Sequence, residues 1–433
     1  MIKNLKAPSL AAAAALMLAV TAQAQGVDAP TLTGWAMLPA ATFSSGPTSG
    51  QFATANPYGS NLPPYVGKQP VQGFSAVLAA PGRDTFRVMT DNGFGGQANS
   101  ADALLRLYTV KVDFRTRHGG SGSVSPAAWT SGRATASFDA TTRITLNDAD
   151  NLLGIPIQAD YLNYYNNPSN PAVDPSIRNG RLLTGADLDV ESARRDKQGN
   201  YWFGDEFGPY LVKTDAHGTV LRSAIPLPGV YAPENIAVRS GTVDANLARS
   251  GGFEGMAIDA SGSRLYTLLE KTVAGDPAKT LRIDEFDIDA EAYTGRRWTY
   301  PLSAQGTAIG DMTAVGQDRF VVIERNGATA TSGTPFKKLV LIDLSHAPQG
   351  GVVSKTELVD LMNIADPADL NRDGSTTYTL PYVTIEDVLV LDDHTLLVIN
   401  DNNFPYGGGR ALASDNTEFI KVTLPVGLHR AGR

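Results

Sequence analysis

One short pattern recurs along this chain, and its recurrence restricts the fold more than any other feature. An acidic or small polar residue opens an apolar segment, and about 15 residues later a second apolar segment ends in an acid or amide. The clearest copy runs through Phe253, Glu254 and Gly255 and then through 264–270, ending on Glu270. Others pair Asp189, Val190 and Glu191 with 200–206, Gly310, Asp311 and Met312 with 319–324, and Ile385, Glu386 and Asp387 with 396–401. A weaker copy pairs Ser75 with 86–91. The anchors Ser75, Glu191, Glu254, Asp311 and Glu386 fall roughly 60 residues apart, except for a first step about twice as long.

Spacing of that size points to an all-β chain arranged as a β-propeller. Six blades fit best, within a range of five to seven, and long inserted loops are needed to fill the steps. The long first step holds either a degenerate blade or an insertion, and residues 161–178, rich in Asn, Pro and Tyr, read as an inserted loop. Between the anchors run short apolar stretches separated by Gly, Asp, Asn and Pro, the pattern of short strands and turns. Residues 101–107 and 355–362 are the exceptions and read as short helices. A last strand at 418–424 is expected to pair with 31–38, which closes the ring and removes its exposed edges.

The N-terminus reads as a bacterial-type secretory signal peptide. Lys3 and Lys6 precede an apolar run at 10–20, and Ala22, Gln23 and Ala24 form a small-x-small cleavage site. The expected division is a signal peptide at 1–24, an N-terminal segment with the ring-closing strand at 25–72, and the propeller at 73–433. Export to the periplasm or the medium follows, with no membrane span after cleavage. The chain has no cysteine, which excludes disulfides and thiol chemistry. Its net charge of −8 and lack of any basic run exclude a nucleic-acid surface.

The chemistry should lie with the recurrent acids. A ring would gather Glu191, Glu254, Asp311 and Glu386 from strand starts, and Glu206, Glu270, Glu324 and Asp401 from strand ends. Converging carboxylates repel one another and require protons or a cation. Hard oxygen donors of this kind suit Ca²⁺, with Mg²⁺ the alternative. Turn capping and pairing with Arg264, Lys271, Arg319 and Arg325 is the competing use of the same acids. Asp369, Asn371, Asp373 and Gly374 follow the first half of an EF-hand loop, but Leu380 stands where its last Glu belongs. No G-x-S-x-G occurs, and none of the five histidines sits beside a Ser or Asp motif, which counts against a serine hydrolase or a His-rich zinc site. Gly407, Gly408 and Gly409 read as a loop offering Arg410 to an anion.

Together, Glu191 with 201–211, the Gly252-Phe253-Glu254-Gly255 segment, Ile385-Glu386-Asp387-Val388 and 400–405 resemble the phytase-like family, labelled "esterase-like activity of phytase". The resemblance covers roughly residues 73–424. It implies a propeller-like fold, phosphoester or ester hydrolysis, and Ca²⁺ that both holds the fold and neutralises phosphate. On this reading the chain is an exported Ca²⁺-dependent phosphoester hydrolase acting on a small molecule. The metal ligands are Glu191, Glu254, Asp311, Glu386, Glu270 and Asp401; Glu206, Asp205 and Glu324 are the catalytic candidates; Arg325, Lys271 and Arg410 contact the substrate. A carboxylester or lactone hydrolase on the same ring is the first alternative. A non-enzymatic, Ca²⁺-stabilised binding propeller is the second. The sequence leaves the oligomeric state open.

Overall fold

The computed structural model describes Met1, residues 27–316 and residues 318–431. The leader expected at 1–24 therefore lies outside the described residues, Met1 apart. Twenty-five strands account for most of the regular structure, and no described helix is long and apolar enough to cross a membrane.

Twenty of the strands form five four-stranded antiparallel blades: three blades are separate sheets, and the other two are joined edge to edge in one larger sheet by the parallel pair Met37↔Ser123. Blade one comprises Phe74–Ala79, Thr85–Thr90, Arg106–Asp113 and Ser123–Pro126; blade two comprises Val190–Arg195, Tyr201–Asp205, Tyr210–Thr214 and Ile225–Pro226. Blade three runs Phe253–Ile258, Arg264–Leu269, Thr280–Asp287 and Ala292–Pro301, and blade four Ala308–Gly316, Arg319–Arg325, Lys337–Asp343 and Ser354–Asp360. Blade five takes Asp387–Val390, Thr395–Ile399 and Thr417–Thr423 from the C-terminal part and Thr31–Leu38 from the N-terminal part. The first strand of each blade packs on the first strand of the next, and blade five returns to blade one. This closed cycle is a propeller arrangement of five blades, one fewer than the six favoured from the repeat spacing. The long first step holds an insertion rather than a sixth blade: residues 127–189 add the strand Arg143–Thr145 to blade one and otherwise form loops and short helices.

Strand alternation explains the core. Along Arg319–Arg325, Val321 and Ile323 face blade five while Phe320 and Val322 face blade three. Every interface between neighbouring blades has its own buried apolar cluster of this kind. Each buried Val, Leu, Ile or Phe contributes about 1.5–3 kcal/mol, so the five clusters hold the ring together without disulfides. The strand from the N-terminal segment completes blade five by pairing with Thr417–Thr423 from Thr31↔Thr423 to Leu38↔Thr417. Neither edge is left open there.

The two expected helices are strands or turns. Ser354–Asp360 pairs along Lys337–Asp343 as the outer strand of blade four, because the blade supplies a ladder that an isolated helix of this length lacks. Residues 101–105 turn into the strand Arg106–Asp113. The half-EF-hand is a surface turn: Asp369 accepts from Gly374 N, and Asp373 accepts from Ser375 N at 2.8 Å.

Candidate metal-dependent active site

Four of the five recurrent anchors share one backbone device. In blade one, Phe74 pairs with Thr90 and Ala76 with Met89, which leaves Ser75 as the extra residue of a β-bulge. In blade two, Val190 pairs with Asp205 and Ser192 with Gly204, which leaves Glu191. In blade three, Phe253 pairs with Leu269 and Gly255 with Leu268, which leaves Glu254. In blade four, Gly310 and Asp311 together oppose Ile323. Glu386 stands one residue before the strand of blade five. A bulge re-aims a side chain relative to its sheet, so the same defect, repeated in blades one to four, re-aims one polar group in each, and the chain entering blade five supplies Glu386. All five anchors are buried.

Two glycines make this crowding possible. A Cβ on Gly310 would stand 1.9 Å from the carbonyl oxygen of Ile385, and one on Gly252 would stand 2.4 Å from Cα of Glu206. Blades four and five, and likewise two and three, thus meet backbone to backbone at the acidic mouth.

The acids there divide into two groups. Arg325 bridges the first. Its Nη2 donates to Glu254 at 2.9 Å, to Glu270 at 3.2 Å and to Glu386 at 3.2 Å. Burial alone would lower the pKa of Arg325, yet the three glutamates hold it above its ordinary value. Glu386 also accepts from Ser75 Oγ at 3.0 Å, and Lys271 pairs with Glu270 at the rim. Glu254 is pushed up to about 8 by burial and by Glu270, with Arg325 opposing.

The second group has no such partner. One oxygen each of Asp189, Glu191 and Glu206 lies within 4.8 Å of the other two, and all three side chains are buried. Among the described residues no ion pair reaches them, and Glu206 Oε1 is buried without a hydrogen-bond donor. Asn92 Nδ2 donates to Asp189 at 2.7 Å. Burial and the neighbouring carboxylates raise Glu191 and Glu206 well above the usual range. Asp91 is raised likewise, by burial and then by Asp401 and Asp189. At such separations each ionised pair repels by about 4 kcal/mol at the effective dielectric of a protein, so the group must hold protons or a cation. Hard, buried oxygens with an orphaned acceptor fit Ca²⁺ or Mg²⁺.

Among the residues singled out from sequence, Glu191, Glu206, Glu254, Glu270, Glu386, Asp401, Arg325 and Lys271 come together at this mouth. Asp401 accepts from Asn403 N at 2.7 Å and Thr384 Oγ1 at 3.0 Å. Four others do not join them. Asp205 is turned into the following loop, accepting from Asp189 N and Gly208 N at 2.8 Å each; burial pushes it up to about 8. Asp311 lies deeper in the channel, paired with Arg194 at 2.8 Å. Glu324 points between strands to Tyr300 and Lys355, because alternation in blade four brings its neighbour Arg325 to the axis instead. Arg410 is spent on Glu418 at 2.7 Å and on Tyr382, rather than being offered by a loop to an anion. Sequence reasoning missed Asp189 and Asp91 as members. Asp189 lies two residues before an anchor, and Asp91 ends the weakest repeat where the others end in an acid, which is the signal that would have found it.

The family model described as "Phytase-like: Esterase-like activity of phytase" matches residues 69–404. The chain belongs to this phytase-like family. A curated relative, an "Uncharacterized secreted protein" of Arthroderma benhamiae, is 25% identical over 179 residues, which cover 34% of this chain and 34% of the relative. The phytase-like chain thus spans about a third of that relative's length. Among solved structures, a luciferin-regenerating enzyme is similar at a TM-score of 0.35 and 11% identity, covering 83% of each chain. The PQQ-bound aldose sugar dehydrogenase of Streptomyces coelicolor is similar at 0.34 and 10% identity, over 92% of this chain and 100% of the other.

Proposed function

We propose that this chain is an exported, Ca²⁺-dependent phosphoester hydrolase whose site is the acidic mouth of the ring. One observation carries the reading: Asp189, Glu191 and Glu206 form a buried carboxylate group that no ion pair reaches among the described residues, beside a second group that Arg325 bridges. Asp189, Glu191 and Glu206 would hold the cation. A divalent ion there supplies Lewis-acid polarisation of a substrate oxygen and acidifies water. Arg325 fixes Glu254, Glu270 and Glu386 against the mouth and keeps them from competing for position. Glu254, at about 8, is poised to accept and return a proton near neutral pH. Lys271, half-exposed at the rim, is the cation placed to meet an anionic substrate group. Family membership supports hydrolysis of an ester, and the relative named as secreted supports export.

A second reading, carboxylester or lactone hydrolysis, draws on a different observation. Phe207, next to Glu206 in the chain, lines a cavity of about 230 Å³ together with Tyr161 and Tyr210 on one side and Asp187, Glu234 and Arg239 on the other. An acyl or aryl group suits the aromatic side of this cavity, and its two carboxylates disfavour a polyphosphate. Elemental analysis for bound metal, followed by assays of the chelated and Ca²⁺-reloaded protein on p-nitrophenyl phosphate, bis-p-nitrophenyl phosphate and p-nitrophenyl acetate, separates the readings. Ca²⁺-restored phosphoester hydrolysis is expected. Restoration on the acetate alone favours the second reading. Bound Ca²⁺ without turnover of any ester refutes both and leaves a Ca²⁺-stabilised binding propeller.

A further inference from the structure

The five innermost strands run the same way, so the acidic mouth at their starts has a counterpart at their ends. From Glu191 to Arg195 is roughly 13 Å of strand, which separates the two mouths. The far mouth is a cavity of about 290 Å³, near the lower end of small-ligand pockets. Every blade lines it: Ala79, Arg195, Ile258, Ala314 and Leu389 come from blades one to five in turn. Arg87, Arg194 and Thr313 complete the polar part of its wall, and no carboxylate lines it.

The charges do not balance here. Arg194 is matched by Asp311 at 2.8 Å. Arg87 and Arg195 have no carboxylate partner among the described residues. Arg87 is buried: its Nη1 donates to the Tyr201 hydroxyl at 2.6 Å, its guanidinium lies 4.1 Å from the centre of the Trp129 ring, and its Nε is buried without an acceptor. Arg195 is exposed, donates Nε to Gly199 O at 3.2 Å and lies over the Tyr201 ring, 5.8 Å from its centre. Two uncompensated guanidiniums thus converge on one phenol in a chain whose net charge is −8. A buried cation without a counter-ion is costly, and an oxyanion accepting from Arg would remove that cost.

We propose that this far mouth is a binding site for a small organic anion, with an oxyanion head held by Arg87 and Arg195 and a short apolar body against Ala79, Ile258, Ala314 and Leu389. The site is separate from the carboxylate group and does not depend on a metal. Calorimetric titration of the full mature chain, with and without chelator, tests it using hexanoate, butyl phosphate and inorganic phosphate as probes. Saturable binding of hexanoate or butyl phosphate, stronger than that of inorganic phosphate and unchanged by chelator, is expected. The preference between hexanoate and butyl phosphate tells whether the head is a carboxylate or a phosphate. Arg195→Ala, at an exposed position that leaves the fold intact, should weaken binding about tenfold or more, as should Arg87→Gln, while Arg222→Ala on the blade periphery should not. Binding that disappears with chelator, or that survives Arg195→Ala undiminished, overturns the proposal, as does the absence of saturable binding by either organic anion.

Discussion

Arg325 decides the character of the acidic mouth because it occupies the place that the other blades give to an acid. It serves three buried glutamates at once, and removing it leaves Glu254 and Glu386 without a cation and Glu270 with Lys271 alone. Loss of one partner from a buried ion pair costs about 3–5 kcal/mol, so Arg325→Gln should lower the melting temperature markedly at pH 8. Much of the loss should return at pH 5, where the glutamates can take up protons, or with added Ca²⁺. Arg325→Lys should recover part of the loss, since all three glutamates meet a single nitrogen, Nη2, whose charge an ammonium reproduces. Thermal melts of the three proteins at the two pH values check this, and a pH-independent deficit would refute it. The same residue marks where sequence reading stopped. The repeat matched Glu324 to the acids at the other strand ends. A one-residue difference in register, which depends on how the bulge at Gly310 and Asp311 is resolved, turned Glu324 to Lys355 and Arg325 to the axis.

At the scale of elements, the repeated bulge is what makes a sequence repeat into a site. The anchors were legible because each blade needs one polar residue between apolar neighbours, and that interruption of alternation is visible in the chain. The bulge itself was not legible, because a single acid in an apolar strand reads equally as a turn cap. The blade number was misjudged for a related reason: the long first step gave no sign that it held one extra strand and loops instead of a whole blade. Close backbone approach is the price of directing the anchors inward. Gly310→Ala would place a methyl 1.9 Å from the Ile385 carbonyl oxygen, where neither backbone can yield without disturbing Asp311 or Glu386. A destabilisation of about 2–4 kcal/mol is expected in denaturant melts, together with weaker Ca²⁺ binding. Gly295→Ala has no nearby atom to meet but carries φ of +80°, so it should show the smaller cost of backbone strain and no change in Ca²⁺ binding.

At the scale of the molecule, five apolar interfaces hold a ring that concentrates negative charge at one end of its channel. That arrangement fixes the sign of the pH dependence. In the metal-free protein Asp187 is raised to about 7, and Asp205 and Glu254 to about 8, chiefly by burial. In the unfolded chain these groups release their protons near pH 4. Between those limits the native state binds more protons, so each group's contribution to stability is full below the unfolded pKa and is lost as pH rises through the folded value. The slope is about 1.4 kcal/mol per pH unit for each group. Lys337 acts in the opposite sense: burial, with Arg325 adding, lowers it to about 7, so it stabilises progressively only above that pH. The window from pH 5 to pH 7 therefore isolates the carboxylates, and the chelated protein should lose thermal stability steadily across it. Ca²⁺ opposes the trend, because a cation displaces the protons that Glu191 and Glu206 otherwise have to hold, and its binding strengthens as they leave. At a free concentration about 100 times its Kd, Ca²⁺ adds about 2.7 kcal/mol. The difference in melting temperature between Ca²⁺-loaded and chelated protein should accordingly widen from pH 5 to pH 7. A difference that is constant or shrinking over that window would mean that the carboxylates meet their charge without a metal, and the acidic mouth would then be a proton-holding structural core.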